Sequence, residues 1–177
     1  MFHRSERLLL RPAWPEDWSL VLGGIADEGV VRNLARAPWP YRPEDARRFV
    51  ASPIDPRFPR FLIARASDAA LVGCIGIDPT EGEIELGYWI ARQHWGRGYA
   101  TEAGRAVIDV ARMLGHRRLV ASHFTDNPAS GRVLRKLGFV PTGAVRLRHS
   151  CGRGEEAPTR EYTLALEEDA QVAMRAA

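Results

Sequence analysis

Residues 84–100, IELGYWIARQHWGRGYA, constrain the fold more than any other part of the chain. The first half has the composition of a strand, which carries the carboxylate of Glu85. Gly96 and Gly98 then form a short loop, and the first turn of a helix follows. Glycines let backbone N–H groups approach an anion closely, and a helix N-terminus adds partial positive charge. The stretch is therefore predicted to bind a phosphate-bearing ligand.

Composition limits what kind of protein this is. The 177 residues are 45% hydrophobic and 27% charged, and this length suits one domain over residues 1–177. A net charge of +3 does not favour nucleic-acid binding, although nearly all basic residues are arginine. We find no apolar run long enough for a signal peptide or a membrane span, so we expect no membrane partner.

The cysteines and histidines show no metal-binding pattern. Cys74 and Cys151 lie far apart, and the five histidines lack ligand spacing. Neither a disulfide framework nor a zinc site is indicated. We therefore expect no metal and a reduced, cytoplasmic setting.

Hydrophobic periodicity predicts the order of the elements. The predicted strands cover residues 8–11, 61–66, 71–77, 83–91, 118–124, 139–147 and 159–167. The predicted helices cover residues 15–25, 28–34, 44–51, 98–114 and 128–137, with a polar loop at 149–158 and a helical tail over the last ten residues. Short connections imply antiparallel pairs, and the central strand–helix–strand unit implies one parallel pair. The fold class is therefore α+β, with a central mixed, mostly antiparallel twisted sheet flanked by helices.

The glycine loop resembles a known motif. RQHWGRGYA is similar to the acetyl-CoA loop of the GNAT superfamily of N-acetyltransferases, whose pattern Q/R-x-x-G-x-G/A is filled by Gln93, Gly96 and Gly98. Three further segments resemble the RimJ/RimL-like branch, the ribosomal-protein N-terminal acetyltransferases and their relatives: SERLLLRP followed by PEDW, then ELGYWI, then NPASGRVLRKLGF. The element order resembles the GNAT fold over nearly the whole chain. Leu134 departs from the wider pattern, because many GNAT enzymes carry their general-acid tyrosine there.

The resemblance implies a site for acetyl transfer to an amine. Glu85 matches the strand carboxylate that some GNAT enzymes use as a base, and Ser130 could protonate the leaving thiolate. The implied cofactor-binding residues are Trp89, Ile90, Ala91, Gln93, Gly96, Arg97, Gly98, Tyr99, Ala100, Thr101 and Asn127. A backbone N–H near Trp89 would polarise the thioester carbonyl. From the residues alone, the simpler roles are a solvated strand charge for Glu85 and a helix-cap hydroxyl for Ser130. His94 lies within the phosphate motif, and this position predicts a surface role for it.

The implied function is acetyl transfer from acetyl-CoA to a primary amine by direct attack in a ternary complex. The acceptor is a protein N-terminus or a small molecule, and the sequence does not identify it. Trp39 and Tyr41, in a proline-rich loop, could line its opening or anchor the loop by packing. Two alternatives stay open: a non-catalytic acyl-CoA sensor on the same fold and an unrelated nucleotide-phosphate protein. A homodimer is also left open.

Overall fold

The computed structural model describes residues 1–166 and contains one eight-stranded sheet in the order β1-β2-β3-β4-β5-β6-β8-β7. The strands are β1 (His3–Arg4), β2 (Leu8–Arg11), β3 (Arg60–Arg65), β4 (Leu71–Thr80), β5 (Glu83–Ile90), β6 (Arg118–Phe124), β7 (Val140–Ser150) and β8 (Glu155–Ala165). The helices are α1 (Trp18–Ile25), α2 (Glu28–Val31), α3 (Pro43–Ala51), α4 (Tyr99–Met113) and α5 (Pro128–Lys136). The predicted helical tail lies outside the described residues.

The pairing confirms a mixed, mostly antiparallel sheet. Among these strands, β5 and β6 are parallel and the other neighbours are antiparallel. The parallel pair requires the crossover through α4, as the strand–helix–strand pattern predicted. Within residues 1–166, no helix is long and apolar enough to cross a membrane.

Helices cover both faces of the sheet, and each face has its own hydrophobic core. On the face covered by α1, α2 and α3, termed the α1–α3 face, Val21 and Val50 pack with Trp89 of β5. On the opposite α4–α5 face, Val107 and Leu134 pack with strand residues that include Leu86 and Ile90. Because strand side chains alternate, β5 contributes to both cores.

The parallel strands β5 and β6 separate soon after they meet. In the described part of the chain, they share a single register pair, Glu85 with Val120, whereas β5 pairs with β4 over all eight of its residues. Beyond Glu85 the two strands form an opening, termed the strand fork, between residues 86–90 of β5 and 121–124 of β6. The fork leaves one edge of β5 without a strand partner at the point where the chain enters the glycine loop.

The C-terminal hairpin corrects one prediction. Residues 149–158 were expected to form a polar loop, but β7 and β8 extend into this segment and leave a turn of residues 151–154. The end of the hairpin docks on the loop after α2, where Ser150 Oγ donates to the Leu34 carbonyl at 2.8 Å. The polar composition suggested a loop. Polar residues can nevertheless form strands at a water-exposed edge of a sheet, because their backbone groups pair with the neighbouring strand.

A close backbone approach at Gly73 generates a stability prediction. Gly73 lies opposite Ile90, and a Cβ there would overlap the Trp89 carbonyl oxygen and lie 3.0 Å from the Ile90 Cα. Because strand backbone cannot yield easily, Gly73→Ala should lower the free energy of unfolding by about 1–3 kcal/mol, measured by urea denaturation. The control is Gly23→Ala in α1, where a Cβ meets nothing within 4 Å and alanine should be neutral or stabilising. Equal midpoints for the two variants would contradict the close approach.

Candidate functional site

The strand fork opens into a cleft of about 1170 Å³. Its lining runs from the glycine loop at the start of α4, through the fork, to the residues around α2 and α3. Both predicted catalytic residues, Glu85 and Ser130, line this cleft. So do eight of the predicted cofactor-binding residues: Trp89, Ile90, Gly96, Gly98, Tyr99, Ala100, Thr101 and Asn127. Within the described part of the chain, this lining does not include the other three predicted residues, Ala91, Gln93 and Arg97.

The glycine loop has the geometry of an anion site. Gly96 and Gly98 adopt left-handed backbone conformations, with φ of +73° and +79°, which side-chain-bearing residues rarely adopt. Within residues 1–166, the N–H groups of Gly96, Arg97 and Gly98 meet no protein acceptor. The N–H groups in the first turn of α4 also lack intrahelical partners. The loop therefore presents several free donors at the positive end of a helix.

Arg7 holds the glycine loop in place, and sequence reasoning missed it. Its Nη1 donates to the Arg97 carbonyl at 3.1 Å, and its Nε pairs with Glu102 at 2.7 Å. The guanidinium also lies 4.8 Å from the centre of the Tyr99 ring. Arg7 and Arg97 are 90 positions apart, so no spacing rule could have connected them.

His94 differs from its expected position. Its place in the phosphate motif suggested a surface role, but the structure buries it, 8% exposed, beside the cleft. Burial lowers the pKa of His94, and the charges of Arg65 and Arg97 lower it further. The ring is therefore neutral near pH 7, and its Nδ1 has no hydrogen-bond partner among the described residues.

Glu85 forms a polar cluster with Arg148 and Ser122 on the α1–α3 face. Arg148 Nη1 and Nη2 donate to the two carboxylate oxygens at 2.5 and 2.8 Å, and Ser122 Oγ donates to Oε1 at 3.0 Å. Burial raises the pKa of Glu85, but the Arg148 guanidinium and the Ser122 hydroxyl outweigh it, so this pKa lies below its ordinary value. The carboxylate is ionised and well satisfied at neutral pH, which makes it a weak base.

Ser130 meets Tyr88 on the α4–α5 face. The hydroxyl oxygens of the two residues lie 2.9 Å apart, and both residues line the cleft. Burial raises the pKa of Tyr88, although the hydrogen bond to Ser130 acts in the opposite direction. Tyr88 therefore keeps its proton at neutral pH. Leu134 is only 1% exposed, so it contributes packing to this face rather than chemistry.

The first turn of α5 explains how Ser130 is oriented. Asn127 precedes the helix, and its Oδ1 accepts the Ser130 N–H at 3.3 Å, while Pro128 occupies the first helical position. The predicted helix-cap interaction is therefore made by Asn127, and the Ser130 hydroxyl is left to bond Tyr88. Sequence reasoning missed Tyr88, although strand alternation places its side chain on the face opposite Glu85.

The Glu85–Arg148 pair generates a pH prediction. In Arg148→Met, burial of Glu85 is no longer opposed by the guanidinium, so its pKa should rise above the ordinary value of 4.5. In the wild type, the Glu85–Arg148 pair stabilises the folded state above pH 4.5, and this stabilisation is lost as the pH falls through the lowered pKa of Glu85. The variant should instead lose stability as the pH rises from 4.5 through the raised pKa. Between these two values the folded state binds a proton on Glu85 that the unfolded state has already released. Carboxyl NMR titration and urea denaturation across this range measure both effects.

The control for this prediction is Arg146→Met on the same strand. Arg146 is 66% exposed in its side chain and pairs with Glu161, not with Glu85. Its loss should leave the Glu85 titration unchanged. A depressed Glu85 pKa that survives in Arg148→Met would show that the guanidinium does not set it.

Comparisons with known proteins agree with this architecture. Residues 7–140 match the family model described as acetyltransferase (GNAT) domain. The chain is 30% identical over 167 residues to the uncharacterized N-acetyltransferase YoaA of Bacillus subtilis (strain 168), covering 90% of this chain and 94% of that protein. It is 34% identical over 90 residues to the ribosomal-protein-serine acetyltransferase of Escherichia coli (strain K12), covering 49% of each.

A solved structure shows the same fold over nearly the whole chain. The crystal structure of a GNAT-family acetyltransferase from Bacillus anthracis aligns with a TM-score of 0.83 and 26% identity, covering 95% of this chain and 100% of that one. The family match extends over most of the chain and includes the strand fork, the glycine loop and the first turn of α5. The chain therefore belongs to the GNAT family of acetyl-CoA-dependent N-acetyltransferases, with relatives in its RimJ/RimL-like branch.

Proposed function

We propose that this protein transfers an acetyl group from acetyl-CoA to a primary amine by direct attack in a ternary complex. The observation that carries the proposal is the strand fork, whose cleft connects the free donors of the glycine loop to polar groups on both faces of the sheet. Acetyl-CoA supplies the thioester whose acyl carbon the amine attacks. A cytoplasmic, reducing setting is part of the proposal, and it is consistent with Cys74 and Cys151 being free thiols.

The loop and the open edge of β5 are the proposed cofactor-binding elements. The N–H groups of residues 96–101 would bind the pyrophosphate, and the β5 edge would bind the pantetheine arm as an added strand. Ala91 donates its N–H to Val72 of β4 at 2.9 Å. Because backbone groups alternate along a strand, the N–H of Ile90 turns toward the fork, where it can polarise a thioester oxygen. The indole N–H of Trp95 fixes this end of the strand by donating to the Ile90 carbonyl at 2.7 Å.

The amine must lose a proton before it attacks. Glu85 is the proposed base, but its low pKa weakens it, so we propose that it acts through a water molecule rather than by direct contact. An α-amine, with a pKa of about 8, suits such a weak base better than an alkyl ammonium, with a pKa of about 10. This favours acceptors that present an α-amine.

The leaving thiolate needs a proton from the opposite face of the fork. Ser130 is the proposed donor, and Tyr88 is proposed to return a proton to Ser130 through their shared hydrogen bond. Solvent water then reprotonates the Tyr88 oxygen, which balances the proton that the amine releases on the other face. The Tyr88 hydroxyl stays protonated because burial raises its pKa. The pair would thus fill the role that Leu134 cannot perform.

The cofactor assignment is tested at Gly98. Gly98→Asp places a side chain at a φ of +79° and a negative charge among the proposed phosphate donors, so calorimetry should detect no acetyl-CoA binding. Gly115→Asp is the matched control, because Gly115 has a φ of +80° beyond the far end of α4 and a Cβ there meets nothing within 4 Å. Unchanged acetyl-CoA affinity in Gly98→Asp would refute the loop assignment.

Wild-type turnover is measured as thiol release from acetyl-CoA with N-terminal peptides, amino acids, polyamines and aminoglycosides as acceptors. Release with at least one primary amine is expected. Acetyl-CoA binding without release across the whole panel would support the non-catalytic sensor instead.

The proton-donor pair is tested with Tyr88→Phe and Ser130→Ala. Each variant should lower kcat by about 10²- to 10⁴-fold and leave the KM for acetyl-CoA unchanged, because the proton is needed only when the thiolate leaves. The kcat of the double variant should be only slightly below that of the less active single variant, since the two hydroxyls act as a unit. Tyr162→Phe is the control, because within residues 1–166 Tyr162 is not part of the cleft lining and its hydroxyl bonds His123, at 3.2 Å, rather than Ser130 or Tyr88. Additive losses, or a normal kcat in Tyr88→Phe, would exclude the relay.

A further inference from the structure

Three residues form a row across the α1–α3 face of the sheet. Arg60 of β3 lies opposite Gly76 of β4, and Gly76 lies opposite Gly87 of β5, the strand that borders the fork. All three line the cleft, and a Cβ at Gly87 would meet nothing within 4 Å. Neighbouring strands are about 4.8 Å apart, so β3 lies roughly 10 Å from β5. The row is therefore a floor of bare backbone that leads from the fork to Arg60. It is open above Gly87 and close against β3 at Gly76, where a Cβ would lie 2.9 Å from the Arg60 Cα.

The carboxylates that line the cleft are all engaged. Within residues 1–166, the pairs are Asp45 with Arg48 at 3.5 Å, Asp78 with Arg36 at 2.7 Å, Glu85 with Arg148 at 2.5 Å, and Asp126 with Arg32 at 3.0 Å and with Arg153 at 2.8 Å. A second ammonium group on an acceptor would have to displace one of these arginines. The lining therefore disfavours polyamines and aminoglycosides, which carry several positive charges.

Arg60 lines the cleft on the α1–α3 face without a described carboxylate partner, as does Arg132 of α5 on the other side of the fork. Its Nη2 donates to the carbonyls of Phe49 at 3.0 Å and Ser52 at 3.4 Å, and its guanidinium lies 4.3 Å from the centre of the Phe49 ring. Its Nε is buried without a partner in the described part of the chain. These contacts orient the guanidinium at the end of α3 but leave its charge without an opposite charge beside it.

Tyr41 adds a neutral donor on the same face as Arg60, where it packs in the core that contains Leu62 of β3 and Cys74 of β4. It is 8% exposed and lines the cleft, and no acceptor among the described residues bonds its hydroxyl. Burial raises the pKa of Tyr41 to about 12, the Asp45 carboxylate adds to this, and the charge of Arg60 opposes it. The hydroxyl therefore remains a donor at every physiological pH. A cation and an O–H donor beyond the β3 end of this floor are suited to a carboxylate.

We propose that the acceptor carries a carboxylate, which binds at Arg60 and Tyr41 while its amine lies at the strand fork. This proposal rests on the acetyl-transfer function proposed above and adds the chemical class of the acceptor. The length of the floor, roughly two strand spacings, requires the carboxylate to be separated from the amine. Small α-amines with a distant carboxylate, such as short peptides, match both ends of the cleft.

The test titrates the enzyme–CoA complex by calorimetry with glycine, diglycine and triglycine, and with the C-terminal amide of each. The free acids of diglycine and triglycine should bind about 10- to 100-fold more tightly than their amides, because a charge-assisted contact is lost on amidation. Glycine should show a smaller difference because its carboxylate is too close to its amine. Equal affinities of acids and amides, or no binding by any of the six compounds, would overturn the proposal.

Three variants locate the carboxylate site. Arg60→Gln should abolish the preference for acids, and Tyr41→Phe should reduce it while keeping the ring packing. Arg47→Gln is the matched control. Arg47 also stacks on an aromatic ring, that of Trp18 at 4.0 Å, but it is not part of the cleft lining. This variant should keep the wild-type preference for acids over amides. A preference for acids that survives in folded Arg60→Gln would refute the assignment, and if that variant does not fold, an unchanged preference in Tyr41→Phe would refute it.

This measurement is independent of turnover. Binding of the acids without acetyl transfer would count against the proposed function but not against the carboxylate site. Acetylation of diglycine and its amide with equal kcat/KM would leave the proposed function standing and remove the carboxylate site.

Discussion

The separation of β5 from β6 is the constraint on which the rest of the site depends. One edge of β5 is held by β4 along the whole strand, and the other meets β6 at the single pair of Glu85 and Val120. A strand edge without a partner presents unpaired N–H and C=O groups, which tend to pair with another extended chain. Here that edge faces a cleft, and the crossover through α4 brings the glycine loop to its end. An extended cofactor arm is the kind of ligand such an edge can pair with.

The alternation of side chains along β5 then separates two kinds of chemistry. Glu85 faces Arg148 and Ser122 on the α1–α3 face, whereas Tyr88 faces Ser130 on the α4–α5 face. The first environment lowers the pKa of a carboxyl group and the second raises that of a phenol. A carboxylate and a phenol on opposite sides of one opening suit the proton acceptor and proton donor of the proposed acyl transfer between two bound molecules.

Sequence reasoning predicted the parts of this site that are local in the chain. The glycine loop and the helix after it follow from residue types at short spacing, and the structure shows the same arrangement. It failed where contacts join distant segments. His94 was expected at the surface and is buried, and the charge of Arg65 from the distant strand β3 helps to lower its pKa. Arg7 was overlooked because it reaches the loop from β2's side of the sheet.

What the sequence by itself determined is the order of the elements, the mixed sheet and the glycine loop, because period, turn residues and capping residues act over a few positions. The tertiary structure decided which groups meet: Arg148 with Glu85, Tyr88 with Ser130, and the row that ends at Arg60. These contacts depend on strand register and on the divergence of β5 from β6, which emerge only when the whole sheet is assembled. The chemistry of the site is set by those contacts, since burial and charge partners, rather than residue type, determine each group's proton affinity.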